Sequence, residues 1–528
     1  MANRTASGIV NPGKPGSSRL SRRSLVKGAI ATGGLILGTG VAPSIAQVRR
    51  DLRIGVFGGD FGNLSPLIRA DIQSGLIQHN IFDSLTEIDY KTRSIVPFVA
   101  ESWTNVDPLT WRIKLREGMM WHKGYGEVTA EDLVYTWQFH LDSKSFQLGS
   151  SLSVVAGIRR VEKYVAEVTT SIPYSAFPGI SMGYGGFMVS AKAHKEMGNQ
   201  AYSATPIGNG PFMIESTRGS EIVLVRHPQY WRPGLPKLDR LVYVAVPDSN
   251  TRLQALLKNE FDFITRPDAE AAKDLKSSSA FTYRSTAGWV WDYQQFNIAR
   301  HPTAPYANKL LRQAISYAID REAIAEEVYH GEATVTDNQI PEGYMGYRGS
   351  LLRYPKNGDL AKAKQLMSQA GMSGYEVEVI TSDKDWLRRE LELVADMVAQ
   401  IGIKYKIRNL DMGGYNNLWL NTKYEQLLED ISLNGPDPDA TSWNFLNGKT
   451  SRGYNNPKMD DLLVSARSEF DPAKRETLYH QIVDLTLDEC PMIFHVNPNI
   501  VQIYNKRLQG FMPAHREEVE MMDTVYWA

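Results

Sequence analysis

Hydrophobic positions recur along the middle of this chain with two periods, and each period predicts a different element. Leu311, Ile315, Ala318 and Ile319 share one helical face, which ends near Asp320, whose carboxylate is placed to cap the next helix. Asp359 opens another helix, with Leu360, Ala363, Leu366, Met367 and Ala370 inward and Gly371 as its stop. Val377 and Val379 alternate with polar neighbours, which predicts a strand. Leu387, Leu391, Val394, Val398 and Ile401 follow at spacings of four and three, a helix closed by Gly402. Ile403, Tyr405 and Ile407 then alternate with Lys404 and Lys406. Strand, helix and strand in that order imply a right-handed crossover and parallel neighbours in a sheet. A lobe of α/β type is therefore expected over residues 290–489.

The earlier part of the chain has a different texture. A strand over Leu52–Phe57 runs into Gly58-Gly59-Asp60, and strands and turns dominate from about Asp83 to Thr170. Thr129 ahead of Glu131 and Asp132 marks a helix start, its hydroxyl expected to cap free N–H groups while the acids face the positive end. Gly208 and Gly210 are expected to permit a tight turn before a strand. Pro233-Gly234 precedes a strand at Leu241–Val246, and a further strand is expected at Glu429–Leu433.

Length and composition set the scale. The 528 residues are 42% hydrophobic and 22% charged, an ordinary soluble composition with room for about three or four domain-sized units. The net charge of −1 conceals an asymmetry, because residues 1–46 hold six basic side chains and no acidic one, leaving 52 basic against 59 acidic beyond them. A mildly acidic body of this kind has no general attraction for nucleic acid. The basic segment contains Ser21-Arg22-Arg23-Ser24-Leu25-Val26-Lys27, followed by an uncharged stretch and by Ser44-Ile45-Ala46. It resembles a twin-arginine export signal, cleaved near Ala46. The single cysteine, Cys490, forms no internal disulfide and reads as a buried packing thiol. A periplasmic location follows as the expectation.

Motifs of catalysis are missing from the sequence. There is no phosphate loop, no His-Glu-x-x-His, no Gly-x-Ser-x-Gly and no Cys-x-x-Cys. The ten histidines are scattered, without metal-ligand spacing on a helix. No enzyme activity, catalytic residue, metal or cofactor is expected.

Four blocks, taken in order, resemble the extracellular solute-binding proteins of family five, the oligopeptide-, dipeptide- and nickel-binding components of ABC importers. The first is Ile81-Phe82-Asp83-Ser84-Leu85 with Val96–Trp103. The second is Trp111–Gly118, Trp121-His122 and Thr129–Tyr135. The third is Pro206–Phe212 with Arg226–Trp231, and the fourth is Phe296-Asn297 with Leu311–Arg321. Lys123–Gly126 departs from the usual Asp-Gly, and Asn209 from the usual Thr; both lie in turns. The resemblance implies an α/β fold of two lobes that close like a hinged clamp on a ligand. The first lobe would take residues 47–84, 205–289 and 490–528, with an extra subdomain at 85–204, and the second lobe 290–489. It implies a monomer that carries a small-molecule or peptide ligand to an ABC permease in the inner membrane.

Ligands of α/β lobes gather beyond the carboxyl ends of strands. Three places qualify: Asp60 and Phe61 after the opening strand, Trp289 and Trp291 at the crossing into the second lobe, and Asn434, Asp437 and Asp439 in the loop Asn434–Asp439. In peptide-binding relatives an aspartate in that loop holds the peptide amine; Asn434 stands at the matching position, and with an insertion in the loop Asp437 would serve instead. An amide accepts a hydrogen bond from an ammonium without neutralising it, so an oligosaccharide or opine receptor of the same fold stands beside the peptide receptor. A secreted hydrolase on this fold is the alternative of another class.

Overall fold

The computed structural model describes residues 50–68, 72–89, 92, 94–143, 154–180, 185–382, 384–429, 437–449, 454–512 and 520–528. The expected export signal, Asn434 and residues 430–433 of the expected strand lie outside the described residues.

The opening strand, Asp51–Val56, buries Leu52, Ile54 and Val56 completely and lies inside the first large sheet. It runs parallel to Arg240–Ala245 on one side and to Phe263–Thr265 on the other. Phe281–Ala287 and Val496–Asn505 extend the sheet beyond Phe263–Thr265, and Glu221–Arg226 with Phe212–Arg218 extend the opposite edge. The short strand Ala333–Val335 joins the start of Val496–Asn505. The second sheet has the order Ile403–Leu410, Tyr375–Ser382, Gln426–Glu429, Tyr293–Phe296, Met492–Phe494. Tyr375–Ser382 is parallel to Ile403–Leu410 along its whole length, as the alternating patterns imply. The helix Asp385–Ala399 makes the crossover and buries Leu387, Leu391, Val394 and Val398.

A third, antiparallel sheet stands apart, in the order Ala100–Asp107, Thr110–Leu115, Val165–Thr170, Val155–Glu162. With the helix Ala130–Ser143 it has its own core, centred on Trp111, Ile113, Leu115 and Trp137. The fold is thus an α/β clamp with two large sheets and an extra subdomain.

Local chemistry explains most of the element ends. The Asp320 carboxylate accepts from Ala323 N (2.9 Å) and Asp359 from Lys362 N (2.8 Å), each at the start of the expected helix. Cys490 takes left-handed backbone at the end of the helix Pro472–Glu489 and is buried. Three expectations change. The Thr129 hydroxyl donates to Asp132 Oδ2 (3.3 Å), and Thr129 N donates to the same oxygen, so the acid in the first turn reaches back to the chain. Gly208 is required by close packing: a Cβ there would stand 2.0 Å from Ile81 O. Met492–Phe494, expected in the first lobe, pairs with Tyr293–Phe296 in the second sheet.

The first three of the blocks that carried the resemblance meet one another in the first half of the molecule. Trp231 Nε1 and the Tyr230 hydroxyl donate to the buried Asp83 carboxylate (2.6 and 3.2 Å). Burial holds that carboxyl well above the ordinary range, with the two hydrogen bonds opposing. His122 Nδ1 accepts from Gly208 N (3.2 Å) while its Nε2 lies 3.0 Å from Gly210 O. His122 thereby fastens the extra subdomain to the turn ahead of the strand Phe212–Arg218.

Candidate functional site: the cleft between the two sheets

The chain passes from the first sheet to the second at Gly288–Asp292 and returns at His495. The two crossings lie side by side. Asp292 N donates to Val496 O (2.9 Å), His495 N to Asp292 O (3.0 Å), and Asn497 Nδ2 to Val290 O (2.6 Å). Gly288 fits because a Cβ would stand 2.3 Å from Pro498 O. Thr336 N donates to His495 O (3.0 Å), adding a third segment to the ribbon. A pair of hydrogen-bonded crossings can bend while the sheets on either side keep their shape.

Buried polar groups brace this hinge. His495 Nδ1 lies 2.6 Å from Glu390 Oε1, and neither side chain has any exposure. The Tyr329 hydroxyl lies against the Asp292 carboxylate and 3.2 Å from Glu390 Oε2. Burial pushes the His495 ring below its ordinary pKa, against the pull of Glu390. The neutral ring then donates Nδ1–H to the carboxylate. Arg321, fully buried, donates from Nε to Phe494 O (2.8 Å) and Thr336 O (3.1 Å) and from Nη1 to Ser316 O (3.1 Å). In the sequence Asp320 and Arg321 stand out only as a helix start and the end of a family block, and Glu390 and His495 not at all.

Carboxyl ends of strands from both sheets converge beside the hinge. Phe57 follows Asp51–Val56, Arg266 follows Phe263–Thr265, and Trp386 lies in the first turn after Tyr375–Ser382. The Arg266 guanidinium stands 4.2 Å from the centre of the Phe57 ring and 5.8 Å from that of Trp386. Arg266 has left-handed backbone, with φ 44°. Its carbonyl accepts from Arg252 Nη2 (2.6 Å), one of four backbone carbonyls held by that buried guanidinium. Cation and aromatic rings from opposite sheets meet where the strand-end rule places a ligand.

The residues expected at the ligand occupy different positions around this point. Asp60 is exposed, its Oδ1 accepting from Gly62 N (3.2 Å), and Phe61 is buried in the first core. Trp289 and Trp291, two positions apart, lie in two separate cores because the chain bends at Trp289 on its way between the sheets. Trp289 meets Tyr344 edge-on at 4.8 Å, and Trp291 packs against Phe445 (5.5 Å) and Phe494 (5.6 Å).

Asp437 and Asp439 both belong to the start of the helix Pro438–Leu446. Asp437 Oδ1 caps it by accepting from Asp439 N (2.9 Å), and both Asp437 oxygens accept from Arg475 (2.6 and 2.7 Å). Asp439 accepts from Arg467 through both oxygens (2.7 and 2.9 Å) and from the Tyr174 hydroxyl (2.8 Å). Asn434 lies outside the described residues. Among the described residues no group of three or more His, Cys, Asp and Glu is arranged to hold a metal, and no helix is long and apolar enough to cross a membrane.

Two sheets joined by paired crossings, with strand ends facing one cleft, define a two-lobed solute-binding protein. Residues 94–453 match the bacterial extracellular solute-binding proteins, family 5 Middle, and the chain belongs to that family. The glutathione-binding protein GsiB of Escherichia coli (strain K12) is 25% identical over 514 residues, spanning 92% of this chain and 96% of that protein. Among solved structures, DppA from Helicobacter pylori in complex with the peptide STSA has a TM-score of 0.79 at 23% identity, covering 91% of this chain and 98% of that one. The periplasmic binding protein AgaA of A. tumefaciens R10 in complex with agropinic acid also reaches 0.79, at 25% identity over 90% and 99% of the two chains.

Proposed function

We propose that this protein is the periplasmic substrate-binding component of an ABC importer, which captures a peptide or peptide-like solute by lobe closure and delivers it to an inner-membrane permease. The observation that carries this reading is the convergence of Phe57, Arg266 and Trp386, from strand ends of both sheets, beside the paired crossings. A solute there touches both lobes only when they are closed, and so stabilises that state by its differential affinity. Phe61 belongs to the first core, and Asp60 and the loop that carries Asn434 are the chain's contacts to the solute. Asp437, Asp439, Trp289 and Trp291 stand behind it as the frame.

The first lobe takes residues 47–84, 205–289 and the chain beyond His495, with the extra subdomain at 85–204; the second takes the segment between the crossings. The twin-arginine segment supports export of the folded protein with cleavage near Ala46.

An opine is the second solute class. Asn434 in place of the aspartate that holds a peptide amine favours it, as does the likeness to AgaA. Calorimetric titration of the mature protein with dipeptides, the tetrapeptide STSA, glutathione and agropinic acid tests both. One of these is expected to saturate the protein at one molecule per chain and to be recovered unchanged. Recovery of a cleaved product would replace the receptor reading with an enzyme.

A further inference from the structure

Away from the hinge and from Phe57, Arg266 and Trp386, the extra subdomain touches the second lobe directly. The segment Pro173–Ser175 follows the subdomain strand Val165–Thr170, and it meets the end of the helix Pro457–Ser468. Ser175 N donates to Arg467 O (2.8 Å), and Ser175 Oγ lies 3.0 Å from Arg467 O and 3.4 Å from Ala466 O. Ser468 Oγ donates in the other direction, to Pro173 O (3.4 Å). The last carbonyls of a helix have no partner within it. Here a segment from another part of the molecule supplies their donors.

Side chains reinforce the backbone contact. Tyr174 is buried, and its hydroxyl donates to Asp439 Oδ2, whose charge Arg467 balances. The Arg467 guanidinium also stacks on Trp443, 3.4 Å from the ring centre. Trp111 of the subdomain sheet stacks on Phe177 at 4.9 Å and reaches Phe470 of the second lobe at 6.2 Å.

We propose that Tyr174, with Ser175, is a clasp that holds the subdomain against the second lobe and sets the ratio of closed to open protein before any solute binds. The clasp rests on the two-lobed receptor reading and deepens it. Apparent affinity scales with the fraction of protein in the binding-competent state, so residues remote from the solute tune how tightly it is held. Tyr174 is a positioning residue in this scheme.

The test uses the mature chain, residues 47–528, with spin labels on the exposed positions Glu131→Cys in the subdomain and Ser465→Cys in the second lobe; Cys490 is buried. Pulsed dipolar distances are recorded without ligand for the parent, for Tyr174→Phe and for Ser175→Ala. The parent is expected to show a short, clasped separation. Tyr174→Phe loses a hydrogen bond to a charged group, so its closed-to-open ratio is expected to fall about ten-fold; Ser175→Ala loses only neutral bonds, for a fall of about three-fold. A parent that is wholly open without ligand, or variants with the parent's distances, would overturn the clasp. If Tyr174→Phe fails to fold, Ser175→Ala decides alone. A titration panel that found no binder would leave these distances unchanged, so the two readings fail separately.

Discussion

Replacing Asp437 with asparagine separates a supporting carboxylate from one that holds a solute amine. The Asp437 side chain is 17% exposed and its partner, the Arg475 guanidinium, 5%. Burial opposes the Arg475 charge, and Asp437 restores it strongly enough to leave its pKa raised. Removing one member of a buried pair leaves the other charged and unpaired, at a cost of about 3–5 kcal/mol. The residual exposure of Asp437 places the expected loss near the lower end, about 3 kcal/mol. The helix cap survives in the variant, because the amide oxygen still accepts from Asp439 N. For a lobe of about 200 residues, a loss of that size lowers the melting temperature by roughly 6–12 °C. The assay is a thermal melt followed by calorimetric titration with whichever panel solute binds the parent. A drop in melting temperature with the affinity changed less than about three-fold fits a supporting carboxylate. An unchanged melt with binding abolished would refute this reasoning and make Asp437 the anchor of the amine.

Asn434→Asp is expected to strengthen binding of ligands with a free α-amine by about ten-fold or more, because a charge-assisted bond replaces a neutral one; equal affinities in calorimetry would remove Asn434 from the site. Acid stability tests the His122 junction, where burial, with His227 beside it, lowers the ring to about pH 3 from an ordinary 6.5. The unfolded chain binds that proton first, so the stability His122 contributes is whole above pH 6.5 and drains away as pH falls toward 3. Between pH 7 and pH 4 the parent should lose about 3 kcal/mol more than His122→Gln, read from denaturant midpoints; parallel losses would contradict the assignment.

The sequence was most legible where one element decides its own shape. The three-and-four spacing from Leu387 to Val398 depends only on helix geometry, and those side chains are buried together. Asp320 and Asp359 cap the helices they precede because a cap bond spans only three residues. Contacts between distant segments left no such trace. Asp437 finds Arg475 across 38 positions and Glu390 finds His495 across 105, and no local period connects either pair. Trp289 and Trp291 show the same limit from the other side. A spacing of two predicts one face only if the strand is straight, and the chain bends there. The first three family blocks were readable because their residues hold the first half of the molecule together, and the fourth because it packs the second lobe's core. For the same reason they carry little about the solute.

That the two lobes enclose a solute and release it chemically unchanged follows from the receptor reading. It is tested most directly by purifying the mature protein from periplasm without denaturation, weighing the complex by native mass spectrometry, then denaturing it and identifying what is released. One small molecule per chain is expected, a peptide, a peptide-like compound or an opine, released intact. A chain that carries no small molecule and gains no thermal stability from any member of the panel would contradict it.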